Sequence, residues 1–294
     1  LRAGDIFISH THMDHFIGFD TLLRVALGRG KTLRLYGPPG LIANVQGKLH
    51  GYTWNLVAGY PLTITVQEFH EQVIRQATFP AIDGFQRHDT PDVPRINRQD
   101  GHRFAVLEDP MFTIEAVALN HRIPSLAYSL QEQFHVNVNR EQLHAAGLPV
   151  GSWLKEVKQY LWQSKPDDFR FQATLYHEHH KEEREFVLGN VRERFITISR
   201  GQKLAYVVDA RYDEDNEAKI VELAQGADIF YCESPYLEQD ADKARDRHHL
   251  TAHQAGVMAK KAGARELVVF HFSPRYTGLG HRIEAEAQQA FRGS

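Results

Sequence analysis

The stretch Ile6-Phe7-Ile8-Ser9-His10-Thr11-His12-Met13-Asp14-His15 sets three imidazoles and a carboxylate within six positions, directly after an apolar run. Alternate residues of an extended segment point the same way. His10 and His12 can therefore close on one cation, while Asp14 and His15, past the bend, face a second. Imidazole nitrogens and carboxylate oxygens suit zinc or a similar borderline ion, and a hydrolytic centre keeps a coordination position open for water. The alternative, a histidine-rich solvated loop, leaves the spacing unexplained, whereas hydrolysis by metal-activated water needs this donor set.

The box resembles the HxHxDH motif of the metallo-β-lactamase superfamily. That resemblance implies an α/β fold, a four-layer αββα sandwich of two sheets between helices. In that superfamily the remaining ligands are single residues at the ends of later strands, and this chain has a match for each in order. His121 follows the apolar run Thr113 to Leu119 and opens Asn120-His121-Arg122-Ile123-Pro124-Ser125. Asp209 follows Leu204-Ala205-Tyr206-Val207-Val208, where the superfamily has the carboxylate that bridges both metals, and His271 follows Glu266 to Phe270. Any one of them reads equally well as a strand-end cap; four motifs in register do not.

Within the superfamily the chain is similar to ribonuclease Z, the endonuclease that removes 3′ trailers from precursor tRNA. Leu35-Tyr36-Gly37-Pro38-Pro39-Gly40-Leu41 is like that family's strand-turn-helix after the metal box. The more specific stretch runs from His249-Leu250-Thr251-Ala252 through Ala259-Lys260-Lys261-Ala262-Gly263-Ala264 to His271-Phe272-Ser273-Pro274-Arg275-Tyr276. Two departures stand out: Val208-Asp209-Ala210-Arg211 replaces Gly-Asp-Thr-Arg, and Leu250 replaces the serine of His-Ser-Thr. The ligand Asp209 is kept while its surroundings change, and losses of that kind can cost roughly 10–100-fold in metal affinity or activity.

The resemblance implies two divalent ions, zinc first, with manganese or iron left open by a nitrogen-and-oxygen donor set. His10, His12 and His121 would hold one; Asp14, His15 and His271 the other; Asp209 would bridge. Metal-bound hydroxide would attack the diester, with Asp14 orienting it or taking its proton. His249 would protonate the leaving 3′ oxygen, neighbouring His248 being the other candidate for that place. Ser273 and Arg275 would contact substrate phosphate, because the planar fork of arginine pairs with phosphate oxygens. The expected partners are precursor tRNA and a second copy of the chain, in the cytoplasm. A related phosphodiesterase acting on cyclic nucleotides or another small ester would suit the altered Asp209 neighbourhood. A non-catalytic RNA-binding or dimerisation module would have shed ligands that this chain keeps.

Composition narrows the class. The chain has 294 residues, 42% hydrophobic and 24% charged, as in a globular protein. No apolar run approaches the roughly 20 residues that span a bilayer, so no membrane role is expected. The single cysteine, Cys232, excludes an intrachain disulfide, fits a reducing compartment and lies on an apolar strand as a buried thiol. A net charge of −3 does not advertise nucleic-acid binding. A local patch is enough, and Lys155, Lys158 and Lys165, or Arg245 and Arg247, are candidates. The family places several strands before its metal box, so the sandwich is expected to lack its N-terminal strands here and the native polypeptide to be longer.

Periodicity predicts strands at Ile6–Ser9, 32–36, 62–69, 111–119, 203–208, 228–232 and 266–270, and helices at 16–27, 216–225 and 251–261. Residues from about 87 to 101, with Pro91 and Pro94, read as an exposed loop. One metallo-β-lactamase-like domain is expected over 1–294, with a substrate-binding arm or insertion at about 132–200. Its Glu141–Gly151 segment resembles the start of the family's arm, without the Gly-Pro hand. Trp153 to Trp162 reads as an amphipathic helix whose aromatics are core or dimer contacts. His177-Glu178-His179-His180 lies in the charged run 177–185, read as a solvated helix, and lacks the spacing of a zinc helix.

Overall fold

Alternating apolar positions build the first sheet: Leu33 and Leu35, Ile64 and Val66, and Ala77 and Phe79 are all buried along adjacent strands. The computed structural model, which describes residues 4–29, 32–99, 101–177 and 180–293, orders this sheet Asp5–Phe7, Thr32–Gly37, Thr63–Phe69, Val73–Pro80, His88–Pro94. The first three strands are parallel and the last two antiparallel. Helix Gly18–Ala26 buries Phe19, Leu23 and Ala26, one face at helical spacing, and helix Leu41–His50 buries Leu41, Ile42, Val45 and Leu49 against the same core.

The second sheet is ordered Glu266–Phe270, Ile229–Glu233, Lys203–Val207, Ile123–Glu132, Phe112–His121, Phe104–Glu108. Its first three strands are parallel. Helices Glu214–Ala224, Ala252–Lys261 and Gly280–Arg292 supply Ile220, Leu223, Ala255, Met258, Ile283 and Ala287 to its core. The inner faces meet where the Tyr128 hydroxyl donates to the Ile8 carbonyl at 2.8 Å and where Phe69 stacks on Phe104. Helix, sheet, sheet and helix make the αββα sandwich.

Thr251 and Gln254 form a reciprocal capping box that starts helix Ala252–Lys261. Small residues then let this helix approach Gly280–Arg292 closely. A Cβ on Gly256 would lie 2.3 Å from the Ala287 carbonyl oxygen and 2.7 Å from the Ala290 Cβ. Gly256→Ala is therefore expected to destabilise the protein by about 1–3 kcal/mol despite alanine's better helix propensity. Urea unfolding checks this, and an unchanged or raised midpoint would refute the close packing.

The chain divides into two compact units: Leu1–Leu107, Ile114–Leu130 and Leu204–Ser294 in one, Glu108–Thr113 and Gln131–Lys203 in the other. The second unit has its own core of Trp153, Val157, Leu161, Leu175, Leu188 and Phe195. Its helix Trp153–Trp162 has the predicted bounds; Trp153 stacks on Phe186 at 5.1 Å and donates to the Pro149 carbonyl, so it serves packing.

Two expectations fail. Residues 88–94 form a strand rather than part of a loop; it is an edge strand, exposed at every position, where prolines are tolerated and no apolar alternation is required. The run read as a solvated helix is half of a hairpin, Arg170–Tyr176 against Lys181–Val187. Cross-strand pairs such as Arg170 with Glu185 and Thr174 with Glu183 hold it, and these are invisible to a helical reading. Of the histidine-rich run, Glu178 and His179 lie outside the described residues. Among the described residues no helix is long and apolar enough to cross a membrane.

Candidate metal centre

The donors His121, Asp209, Glu233 and His271 sit at or just beyond strand ends, and the rest come from the loop and short helix after the first strand and from the turn after helix Ala241–Arg247. The chain leaves strand Asp5–Phe7, passes the fully buried His10 and turns into the short helix Met13–Phe16, which carries Asp14 and His15. His121 ends one strand, Asp209 lies two residues past another, Glu233 ends a third and His271 directly follows a fourth. The parallel strands Lys203–Val207, Ile229–Glu233 and Glu266–Phe270 thus leave Asp209, Glu233 and His271 at their tips, the usual place for sites on layered α/β folds.

Asp209 is the hub. Its Oδ2 lies 3.4 Å from His10 Nε2, 3.3 Å from His15 Nε2 and 3.3 Å from His121 Nε2; its Oδ1 lies 3.2 Å from His271 Nδ1. His10 Nε2 and His12 Nδ1 are 3.0 Å apart. The surrounding donor atoms fall into three groups, each within 4.8 Å: His10, His12, His121 and Asp209; Asp14, His15 and His271; and Asp209, Glu233, His249 and His271. All seven residues expected as ligands are brought together, with Asp209 in two of the groups.

The backbone is strained at the same place. Asp209, His271, His248 and Arg122 have φ of 52°, 63°, 61° and 61°. Non-glycine residues in this left-handed region cost roughly 1–2 kcal/mol each, and such strain gathers where surrounding structure holds a functional geometry. Asn216 does much of the holding. It accepts from the Asn120 N–H at 2.9 Å and donates to the carbonyls of Asn120 and Arg211 at 3.0 and 2.7 Å, tying the His121 and Asp209 loops together. His121 Nδ1 is fixed by the His248 carbonyl at 2.7 Å, and His10 Nδ1 by Ser9 Oγ at 3.2 Å. The carbonyl can only accept, so His121 carries its proton on Nδ1 and leaves Nε2 as a donor atom for a metal, while the Ser9 contact orients the His10 ring with Nε2 toward Asp209.

Glu233 was not foreseen. It is fully buried, with Oε2 at 2.8 Å from His249 Nδ1 and 3.1 Å from His271 Nδ1, while Oε1 accepts the Ala210 N–H at 2.8 Å. The one signal in the sequence was position: it closes the apolar strand Ile229–Cys232 just as His271 follows its neighbour. His249 enters the centre through this carboxylate, whereas His248 contributes its carbonyl.

Burial raises the Asp209 and Glu233 carboxyl pKa values, but the close approach of His10 and His15 to Asp209, and hydrogen bonds from His249 and His271 to Glu233, outweigh it and hold both carboxyls below their usual range. For His249 and His271 burial acts downward, while the Glu233 hydrogen bond and charge carry the net shift upward. His15 is raised by its contact with Asp209; His12 and His121 are lowered by burial.

The centre fits divalent cations. Among the described residues His15 Nε2 and Asp209 Oδ1 are buried without a hydrogen-bond partner. Among the described residues the side chains that pair with Asp209 and Glu233 are imidazoles. Two buried carboxylates ringed by imidazoles match a metal donor set better than a self-satisfied polar cluster.

Ser273 and Arg275 lie outside the three donor groups. With Tyr236, Lys243, Arg247 and His249 they line a recess of about 650 Å3, and Ser273 Oγ accepts the Arg275 N–H. Arg245 and Arg247 are exposed near it; Lys155 and Lys165 are exposed in the second unit, where Lys158 is half-buried.

No protein-family model matches the chain. The crystal structure of the short form of human tRNase Z is similar, with a TM-score of 0.53, 21% identity, and cover of 93% of this chain and 74% of that one. The fold is that of the metallo-β-lactamase class, and its clustered imidazoles and carboxylates could hold metal ions. Ribonuclease Z of Deinococcus radiodurans is 32% identical over 293 residues, 99% of this chain and 82% of that protein. Ribonuclease Z of Bacillus velezensis is 28% identical over 298 residues, 100% of this chain and 78% of that protein. The chain belongs to the ribonuclease Z family.

Proposed function

We propose that the chain is a metal-dependent endoribonuclease that cleaves the 3′ trailer from precursor tRNA. The observation that carries this reading is the convergence of His10, His15, His121 and His271 on Asp209 at 3.2–3.4 Å in a chain of this family. His10, His12 and His121 would hold one ion and Asp14, His15 and His271 a second, with Asp209 between them; zinc is the first choice, manganese or iron the others. A divalent pair bound there supplies Lewis acidity, lowering the pKa of water and offsetting charge on the phosphodiester.

The chain's own groups do the rest. Asp14, exposed at the mouth, accepts the proton of the attacking water. Water's oxygen bonds to phosphorus, the bond to the 3′ oxygen breaks, and His249 delivers a proton to that oxygen from Nε2. Glu233 holds Nδ1 of the same ring and raises its basicity, so the imidazolium needed for that delivery is favoured. Arg275 and Ser273 bind phosphate in the recess beside His249, where Arg247 adds positive charge, Asp246 also lines the wall and Lys243 is paired with Asp240. The products are a tRNA 3′ hydroxyl and a 5′-phosphorylated trailer. The 131–203 part of the second unit is the candidate tRNA-gripping arm, and the working form is a homodimer in the cytoplasm.

Ala210, where the family has threonine, favours a second reading, hydrolysis of a small or cyclic phosphodiester. One assay separates them: a 3′-extended precursor tRNA and bis(p-nitrophenyl) phosphate incubated with protein of measured metal content. Endonucleolytic cleavage after the discriminator nucleotide is expected. Diester hydrolysis with intact tRNA would transfer the case to the second reading, and no hydrolysis by metal-loaded protein would end both.

A further inference from the structure

We propose that the hairpin tip of the second unit binds a divalent cation of the borderline class, such as Zn2+ or Ni2+, through His177, His180 and Glu182. Strands Arg170–Tyr176 and Lys181–Val187 pair without a register shift, and the His177 N–H donates to the His180 carbonyl at 2.9 Å. That closure lays the two imidazoles face to face, centroids 4.6 Å apart and planes within 8°. Glu182 follows on the returning strand with Oε2 at 3.6 Å from His177 Nε2. Its Oε1 accepts from Arg184 Nε at 2.8 Å, which aims the carboxylate at the imidazole.

On a helix His177 and Glu182, five residues apart, would point to different sides. The hairpin brings them together, so the helical reading of this run hid the site. The three donor atoms lie within 4.8 Å of one another. A tetrahedral ion with bonds of about 2.0–2.1 Å wants donors roughly 3.3 Å apart with each ring plane containing the ion, so binding requires the exposed His180 ring to turn out of its stack on His177.

An independent observation points to a ligand. His177 Nε2 is buried and has no hydrogen-bond partner among the described residues, which is unfavourable unless something bonds to it. Two imidazoles and a carboxylate are a known three-ligand zinc set, the fourth position being left to water. All three residues belong to the second unit and none is among the donors around Asp209, so the site is separate from the catalytic centre and does not depend on the nuclease reading. A cation there would pin the two strands of the hairpin at their turn.

The test compares the full chain with a His177→Ala/His180→Ala variant after equilibration with Zn2+. Bound equivalents are read by atomic emission, and tryptic cleavage after Lys181 by mass spectrometry. The wild type is expected to hold one equivalent more than the variant. With free Zn2+ at ten times the Kd of the site, cleavage in the wild type should slow about tenfold, with no such effect in the variant. Both residues sit at the turn, outside the second unit's core, so the variant's circular dichroism should match the wild type. Equal equivalents in the two proteins would overturn the proposal.

Discussion

Asp209→Ala is expected to remove bound metal and hydrolysis together. Among the described residues no other carboxylate belongs both to the group of His10, His12 and His121 and to the group of Glu233, His249 and His271. Without it those imidazoles face no common anion, and metal content should fall below that of the wild type. Hydrolysis should drop by more than about 10⁴-fold, because both water activation and charge neutralisation are lost at once. Alanine also tolerates the φ of 52° at this position less well than aspartate does. Asp209→Asn separates the two effects: it keeps the shape and the left-handed backbone but loses the charge, and should lose nearly as much activity. Metal content by atomic emission and initial rates on both substrates check this. Normal turnover by a metal-free Asp209→Ala protein would sink the two-metal mechanism.

The sandwich was readable wherever burial imposes a period. Leu33, Leu35, Ile64 and Val66 alternate because one face of each strand is in the core, and Phe19, Leu23 and Ala26 recur at helical spacing for the same reason. The His10–His15 box was readable because consecutive donors need no tertiary information to be seen as a set. Strand His88–Pro94 was hidden because all seven of its positions are exposed and carry no period. The 177–185 run was misread because its order comes from cross-strand pairs with 170–176, which lie in another segment.

Glu233 illustrates the limit more sharply. A lone glutamate after Cys232 has no local signature, and its role arises only when the strand beside it delivers His271 and the loop beyond delivers His249. Burial of a charged side chain is decided by what surrounds it in space, which one sequence does not state. His271, equally isolated along the chain, was readable only because the family resemblance supplied the order of ligands.

His249→Ala is expected to lower kcat by about 10²–10⁴-fold, the range of general acid catalysis, while leaving metal content unchanged. The split follows from geometry. His249 reaches the centre through Glu233, at 2.8 Å, and is 3.9 Å from Asp209, whereas His271 lies within 3.2 Å of Asp209 and contacts Glu233 as well. Losing the His249 ring therefore removes a proton donor and leaves the Asp209 cluster intact. Glu233→Gln is the informative companion. As a positioning residue Glu233 both orients the His249 ring and raises its pKa against the downward effect of burial. The neutral amide keeps a hydrogen bond but not the charge, so kcat should fall by roughly 10–100-fold. A general acid is lost as pH rises through its pKa, so the alkaline limb of the rate profile, set by deprotonation of His249, should move to lower pH in this variant. Bis(p-nitrophenyl) phosphate, whose leaving group needs no proton, should escape most of the His249→Ala loss. If His249→Ala instead strips a metal, His249 is a ligand of the third donor group and the proton donor must be sought elsewhere.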